Sequence, residues 1–565
     1  MKLAMTSQKV SIALQPLDSS EFISTLRSFK GLLLSCVGPE GGIKILISGG
    51  GYTTYTSSST RLLNNITISN PICLFISQIM KSQMNAYHDH GLYTGILITS
   101  LLESILSHQI GLPVSAISNV FENLKDILTN LFEMNCIKLQ VDFSTVQQLL
   151  PLVQSIISSK PACGLTKTAI QNLQLNIVKG FLQTFDKTMG DVLVECTESS
   201  EIESRVVPGV LYHINYDDIS KILNEKSNKE GTMSLMLFNI MLTGEDDKKT
   251  SENRSIRLEG NKRNETFMVE ALSLFQQIEK LNVDIVACQK VVHPSLCLYL
   301  QRRGILLLDR MGTVLTQAVE KLTGATPISS IRHCPQDTDG LRKMCGAVDS
   351  IKLERCGQRN YVLFEKAGSK VATLIVPAPN EEAATELKVV IKQSLSALRS
   401  LMMHPALTPG AGCLEMSLAV RLQHQAMGDS DKYDCTVSQL SSCISWLQKA
   451  LLAAAGLTAG FSLLTVDSVF GHLWKVDKER CCCGLVFANM VCEKSGRWTE
   501  VSNNQGALFL QNTTFLSSLS SDPLTLIENV VVDLHRSKQN AVMVSVESCL
   551  NLLGIGMIVY KSDNE

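Results

Sequence analysis

The sequence predicts a multidomain α/β protein in which a helical domain is interrupted by an α/β domain. Three observations carry that expectation. Both ends of the 565-residue chain read as helices, with apolar positions recurring three and four residues apart. The middle alternates strand and helix at the spacing of a parallel βαβ unit. The chain is 45% hydrophobic and only 18% charged, so it has a large core to build or much apolar surface to share.

The first helices are "SEFISTLRSFKGLLLSCVG", "NPICLFISQIMKSQMNAY" and "VSAISNVFENLKDILTNLFEM". Between them "YHDHGLYTGILITSLLESIL" is a turn feeding an apolar helix, with Ile98, Leu101, Leu102, Ile105 and Leu106 on one face. "MGDVLVECTE", beside Gly190, is a strand. In the middle, "NVDIVACQ" is a β-branched strand, and "HPSLCLYLQRRG" is a helix with Pro294 in its first turn and Gly304 as its stop. "ILLLDR" is the next strand. "VLTQAVEKLTGA" is the next helix, with Val314, Ala318, Val319 and Leu322 inward and Gly324 ending it. Helices return in "EEAATELKVVIKQSLSALRSLM" and "SLAVRLQHQAM". The polar stretch 243–265 is expected to be an exposed loop. Ala450 to Val466 is the most membrane-like run, but Gly456, Thr458, Gly460 and Ser462 interrupt it. It falls short of the roughly 20 apolar residues of a spanning helix, so a core helix is expected.

Charge and motifs exclude several functions. Lys and Arg total 51 against 53 Asp and Glu, so nothing favours nucleic acid or an anionic membrane as partner. "MKLAMTSQKVSIALQPL" lacks the apolar stretch of a secretory signal, and the 18 cysteines are expected as reduced thiols. Cys481, Cys482, Cys483 and Cys492 include no Cys-x-x-Cys pair, so buried thiols are favoured over zinc. His88 and His90 read as a solvated turn rather than a ligand pair. Gly-x-Ser-x-Gly, His-Glu-x-x-His and Gly-Lys-Ser/Thr are all missing, which leaves a conventional hydrolase or kinase unsupported. The turn at Gly91 is the sharper question. Backbone N–H groups at such a helix start can cradle a phosphate, yet His88, Asp89, His90, Leu92 and Tyr93 stand where a phosphate loop wants Gly, Ser, Thr and Lys.

Several segments together resemble the group II chaperonins of the eukaryotic cytosol. "NVDIVACQKVVHPSLCLYLQRRGILLLDRMGTVLTQAVEKLTGATPISSI" is similar to their apical strand–helix–strand–helix, and "SRVVPGVL" to the segment entering it. "GPEGGIK", Gly38 to Lys44, resembles the family's Gly-Pro-x-Gly-x-x-Lys loop. "TPGAGCLEMSLA", Thr408 to Ala419, resembles its Pro-Gly-Gly-Gly-x-x-Glu turn over the adenosine. "VDFSTVQQLLPLVQSIISSKPAC", "VACQKVVHPSL" and "FGHLWKV" resemble a divergent branch tied to Bardet–Biedl syndrome. The resemblance implies a helical equatorial domain (1–142 and 403–565), a small intermediate domain (143–202 and 368–402) and an α/β apical domain (203–367).

It also implies a degenerate ATPase. The family's Gly-Asp-Gly-Thr-Thr loop, whose Asp holds the magnesium of ATP, falls on Asp89-His90-Gly91-Leu92-Tyr93, so His90 replaces that Asp. A second phosphate loop, Thr-Asn-Asp-Gly-Ala-Thr, falls on Thr56-Ser57-Ser58-Ser59-Thr60-Arg61, and Ser58 replaces its Asp. Gln393 stands where the family orients the attacking water with an Asp. Phosphoryl transfer rests on positioning and charge neutralisation, magnesium wants hard oxygen ligands, and an amide takes no proton from water. Hydrolysis is therefore expected to be lost. Gly38, Pro39, Gly41, Gly91, Gly410, Gly412 and Glu415 remain as a candidate weak ATP site, against the plainer reading that the glycines only keep turns. Ala411 adds a methyl group beside the expected adenosine, and no metal is predicted.

The favoured function is a chaperonin-like assembly factor acting through protein binding; the alternative is an ATP-driven folding chaperonin. The implied partners are other Bardet–Biedl chaperonin-like proteins, cytosolic chaperonin subunits and subunits of the BBSome coat complex that serves ciliary trafficking. The implied location is the cytosol and the centrosomal region, extending to the ciliary base. On the middle helix, Leu296, Leu300, Arg302 and Arg303 are the candidate partner-binding residues, although most of its leucines are expected to pack on the sheet.

Overall fold

The structure is a computed structural model, described over residues 10–14, 17, 19–37, 41–47, 53–107, 112–134, 138–141, 143, 146–185, 191–198, 203–214, 226, 231–243, 257–335, 337–357, 359–410, 412–428, 435–458, 473–475, 498–500 and 531–561. It divides into two compact units, residues 1–174 with 385–565, and residues 175–384.

The first unit opens with β1 (Val10–Leu14), α1 (Ser20–Leu34), the hairpin strands β2 (Lys44–Ile47) and β3 (Thr53–Thr56), and α2 (Ser59–Asn65). α3 (Pro71–Tyr87), α4 (Gly91–Ser107), α5 (Val114–Phe132), β4 (Leu139–Gln140) and α6 (Leu150–Ser158) follow. Local chemistry sets their ends. Ser19 Oγ accepts the N–H of Phe22 to start α1, and Asn70 Oδ1 accepts those of Ile72 and Cys73 ahead of Pro71 in α3. α4 is buried on every side from Gly91 to Leu102, so the single apolar face read from the sequence is only part of a central core helix. Gly91 and Gly95 let it approach α3: a Cβ on Gly91 would lie 2.5 Å from Met84 Cγ, and one on Gly95 2.5 Å from Met80 Sδ.

α7 (Lys167–Thr184) precedes the strands of the second unit: β5 (Asp191–Glu198), β6 (Arg205–Pro208), β7 (Val210–Ile214) and β8 (Met233–Phe238). Then come α8 (Arg257–Lys280), β9 (Ile285–Cys288), α9 (Pro294–Arg302), β10 (Leu306–Leu308), α10 (Gly312–Thr323) and α11 (Thr338–Met344). β8, β9 and β10 are parallel neighbours, Leu235 and Leu306 both lying beside Ile285, and β11 (Gly346–Val348) closes the sheet antiparallel to β8. This is the βαβ arrangement read from the sequence. β12 (Ser350–Cys356) and β13 (Arg359–Glu365) join β7, and β14 (Val371–Ala378) lies between β5 and β6. Two details differ from expectation. Val314 is exposed rather than inward, and α8 begins at Arg257, so the end of the polar stretch 243–265 is helical.

α12 (Glu381–Met403) leads back to the first unit, which finishes with β15 (Ala406–Pro409), α13 (Cys413–Gly428), α14 (Val437–Thr458), β16 (Leu473–Lys475), β17 (Trp498–Glu500), β18 (Val532–Leu534), α15 (His535–Leu553) and β19 (Met557–Lys561). Ala450, Leu451, Leu452, Ala454 and Ala455 of α14 are core residues, and among the described residues no helix is long and apolar enough to cross a membrane. β15 is the middle strand of β18-β15-β4, and β1 pairs antiparallel with β19. One apolar cluster drawn from α1, α3, α4, α5, α13, α14 and α15 forms the core of this unit.

Candidate functional site

The turn between α3 and α4 is the centre of the site. His88 ends α3 in the left-handed region (φ 61°), and His90 enters α4 with φ 64°. His90 is buried, which corrects the expected solvated pair; only His88 is exposed. The His90 N–H donates to Asp89 Oδ1 at 2.7 Å, and its carbonyl accepts the Thr94 N–H and hydroxyl. The imidazole Nδ1 lies 2.7 Å from Ser537 Oγ and Nε2 lies 3.5 Å from Asp533 Oδ1. Asp89 Oδ1 also accepts from Gln393 Nε2 at 3.2 Å, so the structure brings His90 and Gln393 together through Asp89.

Beyond His90 the charges continue inward. Lys538 Nζ lies 2.9 Å from Asp533 Oδ2 and 2.9 Å from Glu415 Oε1, with its own side chain and that of Glu415 buried. The Tyr93 ring lies against the ammonium, 4.2 Å from Nζ to the centroid. Burial opposes charge at both Asp533 and Lys538, but their mutual attraction wins. Asp533, paired also with His90, is held well below the usual carboxylate range, and Lys538 above the usual lysine range. Burial and the neighbouring Glu415 push the Tyr93 phenol well up, so it stays neutral.

The second loop is anchored differently. Glu386, fully buried on α12, accepts from Thr56 Oγ1 (2.9 Å), Ser57 N (2.7 Å), Ser57 Oγ (2.9 Å) and Arg61 Nη1 (2.9 Å). Ser58, at the start of α2, is buried, and its hydroxyl has no hydrogen-bond partner among the described residues. It faces a cavity of about 10 Å³ shared with Cys36, Gly42, Lys44 and Leu92, room for about one water molecule. Lys44, the lysine of the first loop, donates to the carbonyls of Ser35 (2.8 Å) and Gly42 (3.1 Å), capping the end of α1.

Each retained glycine among the described residues at this site has a structural duty where one is visible. Gly91 serves the α3–α4 approach. A Cβ at Gly410 would lie 2.9 Å from Val531 Cγ1, and Gly412 has φ +87°. Gly41 is half-buried ahead of β2, while Gly38, Pro39 and Ala411 lie outside the described residues, as do Cys481, Cys482, Cys483 and Cys492. No group of His, Cys, Asp or Glu among the described residues has metal-binding geometry. Both Asp533 oxygens face a cation or an imidazole, Leu92 and Tyr93 are core residues, and the His90 imidazole is not the hard oxygen ligand that magnesium takes.

The residues that the sequence reading missed are Asp533, Ser537, Lys538 and Glu386. A signal for the first three lay in "VVVDLHRSKQNAV", where an acid directly follows three valines and a lysine lies five residues beyond it.

On α9 in the second unit, Leu296 and Leu300 are fully buried in the core. They cannot contact a partner, because helical spacing turns both onto the sheet. The side chains the helix offers to solvent include Leu298 (55% exposed), Arg302 and Arg303; Arg303 pairs with Glu279 at 2.8 Å and lies 5.6 Å from the Tyr299 ring centroid.

The chain belongs to the TCP-1/cpn60 chaperonin family, whose pattern it matches over residues 29–562, and it has the multidomain α/β fold of a group II chaperonin. Within that class it is 27% identical to the human molecular chaperone MKKS over 572 residues, covering 96% of this chain and 97% of that protein. It is 26% identical to the mouse molecular chaperone MKKS over 573 residues, with the same coverage. Thermosome subunit alpha of Sulfolobus acidocaldarius is 21% identical over 459 residues, 75% of this chain and 77% of that one. The chain is thus chaperonin-like along almost its whole length.

Proposed function

We propose that this protein is a non-hydrolysing chaperonin-like subunit that assists assembly of the BBSome coat complex, working by protein binding. The observation that carries the loss of hydrolysis is the donor set: His90, Ser58 and Gln393 supply an imidazole, a hydroxyl and an amide where phosphoryl transfer needs carboxylates. The full-length similarity to molecular chaperone MKKS supports the chaperone part. The resemblance to the Bardet–Biedl branch supplies the partners, namely the other chaperonin-like proteins of that group, cytosolic chaperonin subunits and BBSome subunits. It also supplies the expected location, in the cytosol, around the centrosome and at the ciliary base.

Exposed apolar side chains in both units support the reading. Ile45 and Ile47 of β2 are 71% and 74% exposed, and Leu298 with Arg302 and Arg303 forms a mixed apolar and basic face on α9. Depletion tests the reading. Cells lacking the protein are expected to keep bulk cytosolic folding but to lose assembled BBSome; a normal amount of the complete coat complex would refute it. Purified protein is expected to show negligible ATP turnover, and His90→Asp alone is not expected to restore it.

A further inference from the structure

Inside the second unit, the sheet β12-β13-β7 is packed on both of its faces. On one face Val210, Ile214, Ile351, Val362 and Phe364 join the core shared with β8, β9, β10 and α10. On the other face the apolar contact is small: Leu211, Cys356, Tyr361 and Leu363 meet Val207 and Ile375 of the sheet β5-β14-β6. The chain crosses this thin seam at Gly209, where φ is +112° and a Cβ would run into the Phe364 carbonyl oxygen, and again through residues 366–370, where Gly368 has φ +69°.

Polar side chains bridge the seam in register. Glu195, Ile375 and Arg205 are neighbours across β5, β14 and β6, and Glu354, Tyr361 and His213 are neighbours across β12, β13 and β7. Arg205 Nη2 donates to Glu354 Oε2 at 2.9 Å, and the Tyr361 hydroxyl donates to Glu195 Oε1 at 3.1 Å. The His213 ring meets Tyr361 edge-on at 5.4 Å between centroids. Tyr361 is 1% exposed, and burial and the Glu195 carboxylate push its phenol well up, so it stays a donor. Arg205 and Glu354 lie at the rim, their side chains 48% and 25% exposed.

We propose that Glu195, Arg205, Glu354 and Tyr361 form a polar clasp across this seam, a conformational device that fixes the angle between the two layers and opens without unfolding either. With the clasp open, each sheet keeps its strand pairing, and β12-β13-β7 keeps the larger core on its other face. β5 and β14 are the first and last strands of the second unit, so the four-stranded sheet and the α9 face are carried across this seam. Salt screens the exposed ion pair far more than the buried phenol bond, which makes the clasp salt-sensitive.

Hydrogen exchange of the full-length protein, read by mass spectrometry, tests the clasp. In Arg205→Glu two carboxylates face each other at the rim. Peptides spanning Gly209 and residues 366–370 are expected to exchange up to about fivefold faster, the equivalent of one exposed ion pair, with peptides of β8 and β9 unchanged. Adding Glu354→Arg restores the pair with its charges swapped and should bring back the wild-type rate. Tyr361→Phe, which keeps the ring in its small core, should speed the same peptides, and added salt should speed them in the wild type but not in Arg205→Gln. Acceleration spread evenly over the second unit, a double swap that fails to restore the rate, or no change in any variant would overturn the proposal. If Arg205→Glu does not fold, Tyr361→Phe and the salt series decide.

Discussion

The buried site of the first unit and helix α9 of the second treat charge in opposite ways. In the first, Glu386, Glu415 and Lys538 are buried and paired at 2.9 Å or closer. In the second, the charges of α9 stand in solvent, with the side chains of Arg303 and Glu279 51% and 33% exposed in their pair. Breaking a buried pair costs about 3–5 kcal/mol, whereas an exposed pair contributes roughly 0.2–1 kcal/mol. The first set therefore determines whether the unit holds together, and the second is free to serve recognition.

The largest effect should come from Glu386→Ala, which removes the buried carboxylate paired with Arg61 and the acceptor for three donors of the Thr56–Ser57 segment. A loss of about 3–5 kcal/mol is expected, read from the denaturant midpoint. A change below about 1 kcal/mol would place this pair in the class of exposed ones and erase the contrast.

Gly91→Ala sharpens the comparison from another side. The added methyl meets Met84 Cγ at 2.5 Å, Met84 Sδ at 2.9 Å and the Met80 carbonyl oxygen at 3.0 Å. Methionine yields but backbone does not, so overpacking should cost about 1–3 kcal/mol. A neutral substitution would show that the approach of α4 to α3 does not require glycine at position 91.

Acid should separate two groups of the first unit, His535 and Asp533. Burial holds the His535 imidazole, whose Nε2 lies 2.9 Å from the Phe132 carbonyl, below its ordinary value of 6.5. The unfolded chain therefore takes up this proton first, and stability falls as pH drops below 6.5. Asp533 is held below its ordinary 3.8, so its contribution is present above that pH and is lost only as pH falls through the lower, folded value. Stability measured against pH should thus decline in two stages, and His535→Gln should flatten the first alone. A single stage that His535→Gln leaves unchanged would show that the neutral imidazole is not what the fold requires.

What the sequence made legible follows from range. The helices and the βαβ unit show themselves in spacing three, four and two residues apart, and Asn70, Pro71, Pro294 and Gly324 mark ends through contacts made within a few positions. The site is different. His90 meets Asp533 and Ser537 more than 440 positions away, and Glu386 meets Ser57 across 329. No periodicity encodes such pairings. The three departures from the family loops are expected position by position from the resemblance, but the residues His90 packs against, Asp533 and Ser537, belong to the other end of the chain. Val314 differs too: an apolar residue in the first turn of α10 fits the inward pattern, yet it stands exposed, and spacing alone does not tell which apolar positions of a first turn are covered.

The smallest effect on stability and the largest on recognition should come from α9. Reversing Arg302 and Arg303 to Glu removes one exposed ion pair and sets a new carboxylate beside Glu279, while the Tyr299 hydroxyl keeps its 2.7 Å bond to Glu279 and Leu296 and Leu300 stay in the core. The cost should be about 1 kcal/mol or less. If the face around Leu298 captures partners, its basic rim steers them, and reversing two charges should slow association and steepen loss of capture at low salt. Co-precipitation of chaperonin and BBSome subunits by the double variant is the measurement. Reduced capture with an unchanged melting temperature is expected; every partner retained at wild-type levels would move the binding surface elsewhere, with the exposed Ile45 and Ile47 of β2 as the next surface to substitute.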